Sequence, residues 1–315
     1  MRSLWVIANP ESGAGRGARV LPALEAELDR RRLRYALHLT EAPGHARELG
    51  AQAVGHASRV LAVGGDGTVH EVANGMLRRS LRRPERGVPP LAVLPVGTGN
   101  DFFRMVSAPS DPAGAARAAA DGTPRCFDVG EVRWEGGARL FVNLVGVGID
   151  VEVLRRRARF ARLPGLIQYL AALASALAAY RPVPLAVALS SDSGGTWSRE
   201  GAVLLSAVTV GPSVGGGMIL SPEAMPDDGH LDLFHARRLG VLQVLRHLPG
   251  ILRGTGIREG DIRQVQATEI RMERTDGRNL VFELDGELAD VETRAIEIRV
   301  LPGVLPVLEV PETDG

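Results

Sequence analysis

The sequence predicts an α/β protein of two domains, in which a domain built on a parallel sheet precedes a mostly antiparallel domain of β-sandwich type. Apolar runs alternate with helical patterns up to about residue 120, and β-type runs with few helices follow. The length of 315 residues also suits two domains. We place the domains at residues 1–125 and 126–300, and we expect the segment from about 301 to 315 to return to the first domain.

The composition excludes several function classes. Lys+Arg and Asp+Glu are both 37, so the chain lacks the basic excess of a bulk nucleic-acid binder. Every fixed cation is an arginine, which excludes a Walker lysine, a Schiff-base lysine and the ATP-clamping lysine of protein kinases. Cys126 is the single cysteine, and the first residues do not form a secretory signal, so we expect a cytoplasmic protein.

The first domain contains three strand candidates, at Leu4–Ala8, Val60–Val63 and Leu91–Leu94. The helix after the first strand has an apolar face formed by Val20, Leu21, Leu24 and Leu28. Each strand candidate is followed by a glycine-rich loop. Because ligands bind beyond the carboxyl ends of parallel strands, we expect these loops to lie together and to form a binding site.

The loop after the second strand reads Gly64-Gly65-Asp66-Gly67-Thr68. Thr68 and Glu71 have capping-box spacing, which predicts a helix that begins near Thr68. A helix N-terminus attracts phosphate, and glycines let the backbone approach it closely. Asp66 can hold Mg²⁺ directly or through water. The alternative is an ordinary turn between a strand and a helix.

The other two loops are weaker signals on their own. They are Asn9–Gly15 and Pro95–Asp101, and the second leads into Arg104, which is a candidate phosphate contact or a surface ion pair. Neither a GxxxxGK[ST] loop nor a GxGxxG pattern after the first strand is present, so two common mononucleotide and dinucleotide motifs are excluded.

The second domain is predicted to be rich in strands. The strand candidates are Phe127–Val132, Leu140–Val145, Pro184–Leu189, Val203–Val210, Leu231–Phe234, Gln266–Met272, Leu280–Leu284 and Ala295–Val300, and Val307–Val310 is expected to return to the first domain. Two helices are predicted, at Leu163–Tyr180 and Val241–Arg253. The first is too short and too rich in alanine for a membrane span, so we interpret it as a buried or interfacial helix.

In order along nearly the whole chain, these motifs resemble the diacylglycerol kinase catalytic-domain family. The segments that carry the resemblance are Asn9–Gly13, Gly64–Thr68 with His70–Gly75, Leu94–Phe102, Phe141–Asp150, Gly215–Met218 with Pro222–Ala224, and Glu283–Glu287. The family includes bacterial soluble diacylglycerol kinases, sphingosine kinases and ceramide kinases, and its fold resembles that of NAD kinase. One departure is Thr209–Pro212, where relatives usually carry an asparagine.

The resemblance implies transfer of the γ-phosphate of ATP, with Mg²⁺, to a lipid hydroxyl, first of all that of diacylglycerol to give phosphatidic acid. It implies that Asp285 is the general base, that Glu287 orients Asp285 or binds metal, and that Asp66 holds Mg²⁺ through water. In sphingosine kinases the aspartate at the position of Asp66 is itself the base, so this assignment stays open. Asp228 is a candidate ligand of a structural Mg²⁺. The implied nucleotide contacts are Asn9, Ser12, Gly13, Gly64, Gly65, Asp66, Gly67, Thr68, Gly97, Thr98, Gly99, Asn100 and Arg104.

A lipid kinase must reach its substrate at a membrane surface. Arginines between Arg155 and Arg162 precede the apolar helix, which favours peripheral association with the inner membrane, although a solvated helix start explains them equally well. The resemblance is also compatible with a homodimer. Two alternatives remain: an NAD kinase-like phosphotransferase, and a non-catalytic lipid- or nucleotide-binding regulator. From spacing alone, Asp285-Gly286 is a hairpin turn.

Overall fold

The computed structural model describes residues 3–160, 162–163, 165–190, 195–255, 260, 262–289 and 291–310. The chain divides into two compact units. One unit comprises Met1–Phe127 and Gly303–Gly315, and the other comprises Asp128–Pro302. The sequence boundary that we placed between residues 125 and 126 lies near this division.

The elements of the first unit begin at β1. In chain order they are β1 (Leu4–Ala8), α1 (Ser12–Arg30), β2 (Tyr35–Leu39), α2 (His45–Ala53), β3 (Arg59–Gly64), α3 (Asp66–Arg82), β4 (Leu91–Pro95), α4 (Pro112–Asp121) and β5 (Thr123–Trp134), with 3₁₀ turns at Pro84–Arg86 and Phe102–Met105. Strand β5 continues into the second unit.

The second unit adds twelve strands and three helices to the described elements. They are β6 (Gly137–Phe141), β7 (Leu144–Gly148), α5 (Ile149–Arg157), α6 (Gly165–Leu177), β8 (Val183–Ser190), β9 (Thr196–Thr209), β10 (Ser213–Val214), β11 (Met218–Ile219), β12 (Leu231–Arg237), α7 (Val241–Arg253), β13 (Ile262–Ala267), β14 (Glu269–Arg274), β15 (Phe282–Leu284), β16 (Glu287–Leu288) and β17 (Ala295–Glu309), with a 3₁₀ turn at Ala158–Phe160.

The first unit contains the predicted parallel sheet. Strand β1 lies between β2 and β3, and β4 pairs with β3 on the other side, all in parallel. The end of β17 returns to this sheet, where Val307 pairs with Leu91 in parallel. Helix α1 buries Leu21, Leu24 and Leu28 against the sheet, as the periodicity predicted. The α/β architecture of the first domain is therefore confirmed.

Helices α2 and α3 pack through glycines. A Cβ on Gly50 would lie 2.5 Å from the Val72 carbonyl oxygen, and one on Gly75 would lie 2.0 Å from the Arg47 carbonyl oxygen. Only glycine permits this close approach, because any side chain would meet backbone that cannot move aside cheaply. This packing fixes the direction of α3, and thereby the position of its N-terminus at the loop edge of the sheet.

The predicted start of α3 was wrong by two residues. The helix begins at Asp66, after Gly65, and no side chain caps it. The expected capping box does not form, because both of its side chains have other partners. The Thr68 hydroxyl accepts a hydrogen bond from Asn9 Nδ2 at 3.3 Å, and Glu71 Oε1 accepts one from the Gly44 N–H at 2.9 Å. Two tertiary hydrogen bonds therefore take the place of the local capping box.

The second unit is mostly antiparallel, as predicted. Strand β9 pairs with β7, β8 and β12, and β14 pairs with β8 and β17, in every case antiparallel. One of its core clusters includes Val145, Val187, Leu233, Phe282 and Ile296. Among the described residues no helix is long and apolar enough to cross a bilayer.

Four of the predicted strands needed correction. The run Leu140–Val145 is split between β6 and β7, and Gln266–Met272 is split between β13 and β14. Conversely, Ala295–Val300 and Val307–Val310 both fall within the continuous β17, although Val310 lies just beyond its last residue. The first split has a clear cause, since the backbone at its break is bound by the Asp285 carboxylate, as described below.

Candidate functional site

The three glycine-rich loops of the first unit meet at the carboxyl edge of the parallel sheet. A Cβ on Gly97 would lie 2.5 Å from Gly65 Cα, and one on Gly65 would lie 2.9 Å from Gly97 Cα. The loops after β3 and β4 therefore touch backbone to backbone. Such contact leaves room for glycine only, which explains these two glycines without any reference to a ligand.

The loop after β1 turns through left-handed backbone conformations. Gly13, Ala14 and Gly15 have φ angles of 61°, 58° and 79°. A Cβ on Gly13 would lie 1.9 Å from the Val96 carbonyl oxygen, whereas one on Gly15 would meet nothing within 4 Å. Gly13 is thus closed in by the third loop, and Gly15 faces open space.

Arg16 joins the first loop to the third. Its Nε donates to the Gly13 carbonyl at 3.1 Å, and its Nη2 donates to the Gly97 carbonyl at 2.7 Å. The sequence motifs pointed to Arg104 and not to Arg16. Arg104 is exposed, and its Nε lies 3.8 Å from the Asp101 carboxylate, so the ion-pair alternative for it is observed. Arg16 directly follows the first glycine-rich loop, and this position is the sequence feature that could have identified it.

Asp66 lies at the N-terminus of α3 and is only partly buried. Its Oδ1 accepts a hydrogen bond from the Phe102 N–H at 3.0 Å, which ties the second loop to the end of the third. A Cβ on the adjacent Gly67 would meet nothing within 4 Å. The N-terminus of α3 therefore faces open space beside one carboxylate, which suits a phosphate accompanied by a cation.

Asn100 carries an unused acceptor in this unit. It has a left-handed φ of 57°, and its Nδ2 donates to the Gly97 carbonyl at 3.1 Å. Its Oδ1 is buried and has no hydrogen-bond partner among the described residues. A buried acceptor without a partner is costly, so a donor from a bound ligand or an ordered water would stabilise the loop. The remaining predicted contacts, Ser12, Gly64, Thr98 and Gly99, lie in these same loops.

Magnesium fits the first unit only with help from a ligand. Within the described residues, no group of three or more His, Cys, Asp or Glu side chains is arranged to hold a metal ion. Mg²⁺ in phosphoryl-transfer sites keeps several waters and is bound by one or two carboxylates together with substrate phosphates. Asp66 at the loop edge matches that pattern, and its role as a water-mediated ligand stays a prediction.

Asp228 lies in a tight turn of the second unit. Its Oδ1 accepts from the His230 N–H and its Oδ2 accepts from Gln266 Nε2, both at 2.9 Å. Burial and the charge of Asp228 raise the pKa of the neighbouring Asp232 to about 7. Both Asp228 oxygens therefore already accept hydrogen bonds, one from within the turn and one from β13. The role of Asp228 as a Mg²⁺ ligand stays a prediction.

Asp285 holds the backbone of the turn between β6 and β7. Its Oδ2 accepts from the Val142 N–H at 2.8 Å, and its Oδ1 accepts from the N–H groups of Asn143 and Leu144 at 2.9 and 2.8 Å. Its own N–H donates to the Leu144 carbonyl at 2.9 Å, and its φ is 47°. The predicted base is therefore a buried carboxylate that accepts three backbone hydrogen bonds, and Glu287 is the exposed carboxylate two residues later.

A second buried carboxyl group lies just before this turn. Glu283 is 1% exposed, and its Oε2 accepts a hydrogen bond from the Gly286 N–H at 2.9 Å. Burial raises the pKa of Glu283 well above its ordinary value, and the charge of Asp150 and a hydrogen bond to it raise the pKa further. Sequence reasoning gave neither Glu283 nor Asp150 a role. Each of the two is an acidic residue inside an apolar run, and this is the sequence feature that could have identified them.

Asp150 lines an apolar cavity of about 80 Å³ within the second unit. The hydroxyl of Tyr169 donates to Asp150 Oδ1 at 2.9 Å, so one end of the cavity is polar. The rest of the wall is mostly aliphatic and aromatic, and it includes Leu144, Leu173, Leu204, Phe234, Val244 and Ile251. Helices α6 and α7 both contribute to this wall.

Comparisons with known proteins agree with this geometry. A family model described as "Diacylglycerol kinase catalytic domain" matches residues 3–132, and one described as "YegS C-terminal NAD kinase beta sandwich-like domain" matches residues 143–309. The second model supports the β-sandwich type that we predicted for the second domain.

Several relatives match over most of their length. A protein of Pseudomonas aeruginosa named "Probable lipid kinase YegS-like" is 33% identical over 279 residues, covering 86% of this chain and 83% of its own. The "Diacylglycerol kinase" of Bacillus subtilis is 27% identical over 290 residues, covering 91% and 90%. A solved diacylglycerol kinase structure from Bacillus anthracis aligns with a TM-score of 0.68 at 22% identity, covering 98% and 97%. The chain belongs to the diacylglycerol kinase and YegS-like lipid kinase family, whose kinase activity implies ATP as the phosphoryl donor and an alcohol as the acceptor.

Proposed function

We propose that this protein transfers the γ-phosphoryl group of ATP to the hydroxyl of a membrane lipid, with diacylglycerol as the first candidate acceptor and phosphatidic acid as its product. The observation that carries the proposal is in the second unit, where the acidic turn at residues 285–287 is connected by hydrogen bonds to the polar end of an apolar cavity. The name of the Bacillus subtilis relative supports diacylglycerol as the acceptor.

The connection between the cavity and the turn runs through three residues. Asp150 lines the cavity, Glu283 is hydrogen-bonded to Asp150, and the Gly286 N–H donates to Glu283. A cavity of about 80 Å³ has room only for the part of a lipid next to its hydroxyl, and that hydroxyl would lie at the polar end, near this turn. Apolar pockets with a few placed polar groups are the usual form of a small-molecule site.

The loops of the first unit support ATP as the donor. They offer an α3 N-terminus that faces open space, a buried acceptor on Asn100 and an arginine, Arg16, that fixes two of the loops to each other. Backbone N–H groups at a helix N-terminus bind phosphate without a lysine. Mg²⁺ bound to Asp66 through water would neutralise charge on the phosphates.

The contacts of the two acidic residues support different roles. Asp285 already accepts three backbone hydrogen bonds, so we assign to it the positioning of the turn. Glu287 is exposed, so we assign to it the acceptance of the proton from the lipid hydroxyl. The lipid oxygen then bonds to the γ-phosphorus as the bond between that phosphorus and the β–γ bridging oxygen breaks, and ADP leaves.

NAD kinase-like activity is the second candidate, since the model that matches the second unit is described as NAD kinase-like. The aliphatic wall of the cavity argues against it, because a dinucleotide acceptor would present hydroxyls and phosphates to a wall that offers few partners.

The experiment supplies γ-labelled ATP and Mg²⁺ to the purified protein with diacylglycerol, sphingosine, ceramide, undecaprenol or NAD as acceptor. Glu287→Gln is the test variant, and Glu292→Gln, an exposed glutamate outside the turn, is the matched control. We expect label in one lipid, which is lost in Glu287→Gln and kept in Glu292→Gln. Label in NAD alone would make the second candidate correct. ATP binding without any transfer would indicate a non-catalytic regulator.

A further inference from the structure

The charges of this chain are distributed unevenly along the sequence. Overall the chain has equal numbers of basic and acidic side chains, yet residues 153–183 and 233–258 contain no Asp or Glu. These two segments carry the arginines Arg155, Arg156, Arg157, Arg159, Arg162 and Arg181, and Arg237, Arg238, Arg246, Arg253 and Arg258. Each segment is therefore basic in a protein that is neutral as a whole, and among the described residues only Arg155 and Arg156 of the first segment pair with the preceding Glu152.

The fold places both segments against the same apolar cavity. The first segment supplies α6, whose Tyr169 and Leu173 line the cavity, and the second supplies α7, whose Val244 and Ile251 line it. Two segments that are far apart in sequence thus form one wall of the pocket. The excess positive charge lies on the residues that flank α6 and on α7 with its own flanks.

The same helices expose large apolar side chains to solvent. Ile167 near the start of α6 is 56% exposed, and Leu242 near the start of α7 is 83% exposed. Leu163 and Val241 beside them are also exposed, as are Arg159 and Arg162. Exposed apolar side chains among cations are typical of segments that lie at a membrane interface.

We propose that α6 and α7, with the arginines that flank them, form a surface that binds anionic lipid bilayers and admits the acceptor lipid to the cavity from the bilayer. This inference rests on the proposed function, because it assumes that the acceptor is a membrane lipid. The arginines are complementary to a negatively charged leaflet, and Ile167 and Leu242 supply the apolar contact. Each basic residue near such a surface contributes about fivefold in affinity.

The test measures co-sedimentation of the protein with vesicles of phosphatidylglycerol and phosphatidylcholine, without ATP. The test variant is Arg159→Gln/Arg162→Gln/Leu242→Ser. The control is Arg82→Gln/Arg83→Gln/Leu81→Ser, which changes exposed residues of the same kinds in the first unit, where Leu81 is 56% exposed. Circular dichroism checks whether both variants are folded. The salt dependence of vesicle binding by the unaltered protein is measured in parallel.

We expect the unaltered protein and the control to bind anionic vesicles and to bind pure phosphatidylcholine vesicles far less. Their binding should be lost in high salt. We expect the test variant to bind anionic vesicles at least about 30-fold more weakly than the unaltered protein. Equal binding of all three proteins, equal loss in both variants, or no binding of the unaltered protein to anionic vesicles would each overturn the proposal. Because turnover is not measured, selective loss of vesicle binding would support this surface even if no lipid were phosphorylated. Conversely, phosphorylation of a lipid in detergent micelles would support the function even if the surface were wrong.

Discussion

Glu283 and Asp150 place their carboxyl groups side by side next to Gly146. A Cβ at Gly146 would lie 2.9 Å from Glu283 Oε1 and 2.5 Å from Asp150 Oδ2, so only glycine leaves room for the pair. Burial, the charge of Asp150 and, to a smaller degree, that of Asp285 raise the pKa of Glu283. The protonated form of Glu283 is therefore favoured at this position beside the cavity.

The first prediction concerns Glu283→Gln, which imitates the protonated acid. Because the folded-state pKa of Glu283 is raised above 4.5, the folded state binds more protons than the unfolded state above that pH. Its contribution to stability is fully present below pH 4.5 and is lost as pH rises through the folded-state pKa. We expect urea unfolding to show that Glu283→Gln loses less stability than the unaltered protein as pH rises. Parallel pH profiles for the two proteins would contradict the raised pKa of Glu283.

The second prediction separates two glycines of the nucleotide loops. Gly97→Ala places a Cβ 2.5 Å from Gly65 Cα, so we expect it to lower the free energy of unfolding by about 1–3 kcal/mol and to abolish ATP binding. Gly67→Ala meets nothing within 4 Å and lies inside α3, so we expect a slightly more stable protein that binds ATP more weakly. Thermal unfolding and calorimetric titration with ATP check both. Full ATP affinity in Gly67→Ala would mean that the nucleotide does not approach the N-terminus of α3.

The third prediction concerns Arg16. Arg16→Gln removes two charge-assisted hydrogen bonds to loop carbonyls, so we expect ATP to bind about tenfold more weakly. Arg19→Gln is the matched control, because Arg19 lies on the same helix and makes one longer contact, 3.4 Å, to the Ala14 carbonyl. Titration with ATP should show an unchanged Kd for the control. A larger effect of Arg19→Gln would show that a general loss of positive charge, and not the loop connection, is responsible.

The fourth prediction is a loss of stability in acid that arises at His235. This side chain is buried in β12, where Ser206 Oγ lies 2.8 Å from its Nδ1. Burial, and then Arg199 and Arg237, lower its pKa from 6.5 to about 4. The neutral ring is favoured in the fold, so its contribution is present above pH 6.5 and is lost as pH falls towards 4.

We expect the contribution of His235 to the free energy of unfolding to fall by about 2–3 kcal/mol over that pH range in the unaltered protein. His235→Gln cannot gain a proton in this range, so its free energy of unfolding should fall less steeply between pH 7 and pH 4. Chemical unfolding at a series of pH values measures both slopes. Equal slopes would show that His235 does not determine the acid sensitivity.

The fold was largely predictable because its signals are local. The apolar strands β1, β3 and β4 and the apolar face of α1 are visible in the sequence, and each is followed or preceded by turn residues. Strand β2 and helix α2 were missed. Strand β2 lies at the sheet edge with every residue at least partly exposed, and α2 is a short helix that depends on glycine contacts with α3.

The site was only partly predictable, because several of its contacts join distant residues. The contact of Gly97 with Gly65, the connection of Arg16 to the third loop and the pairing of Glu283 with Asp150 each depend on tertiary packing. The role of Asp285 in holding the Val142–Leu144 backbone is likewise invisible in a motif that also describes a hairpin turn. The sequence motifs named loops that do meet at one edge of the sheet, and Asn100 Oδ1 is a buried acceptor there without a partner among the described residues.

We propose that the acidic turn and the cavity of the second unit serve lipid phosphorylation. The most direct measurement is the rate at which the purified protein forms phosphatidic acid from ATP and diacylglycerol in detergent micelles, with Asp285→Asn and Glu287→Gln compared at equal amounts of folded protein. We expect turnover by the unaltered protein, a loss of at least about 100-fold in kcat for Glu287→Gln with stability unchanged, and a loss of both stability and activity for Asp285→Asn. Full activity of Glu287→Gln, or phosphorylation of NAD and of no lipid, would contradict it.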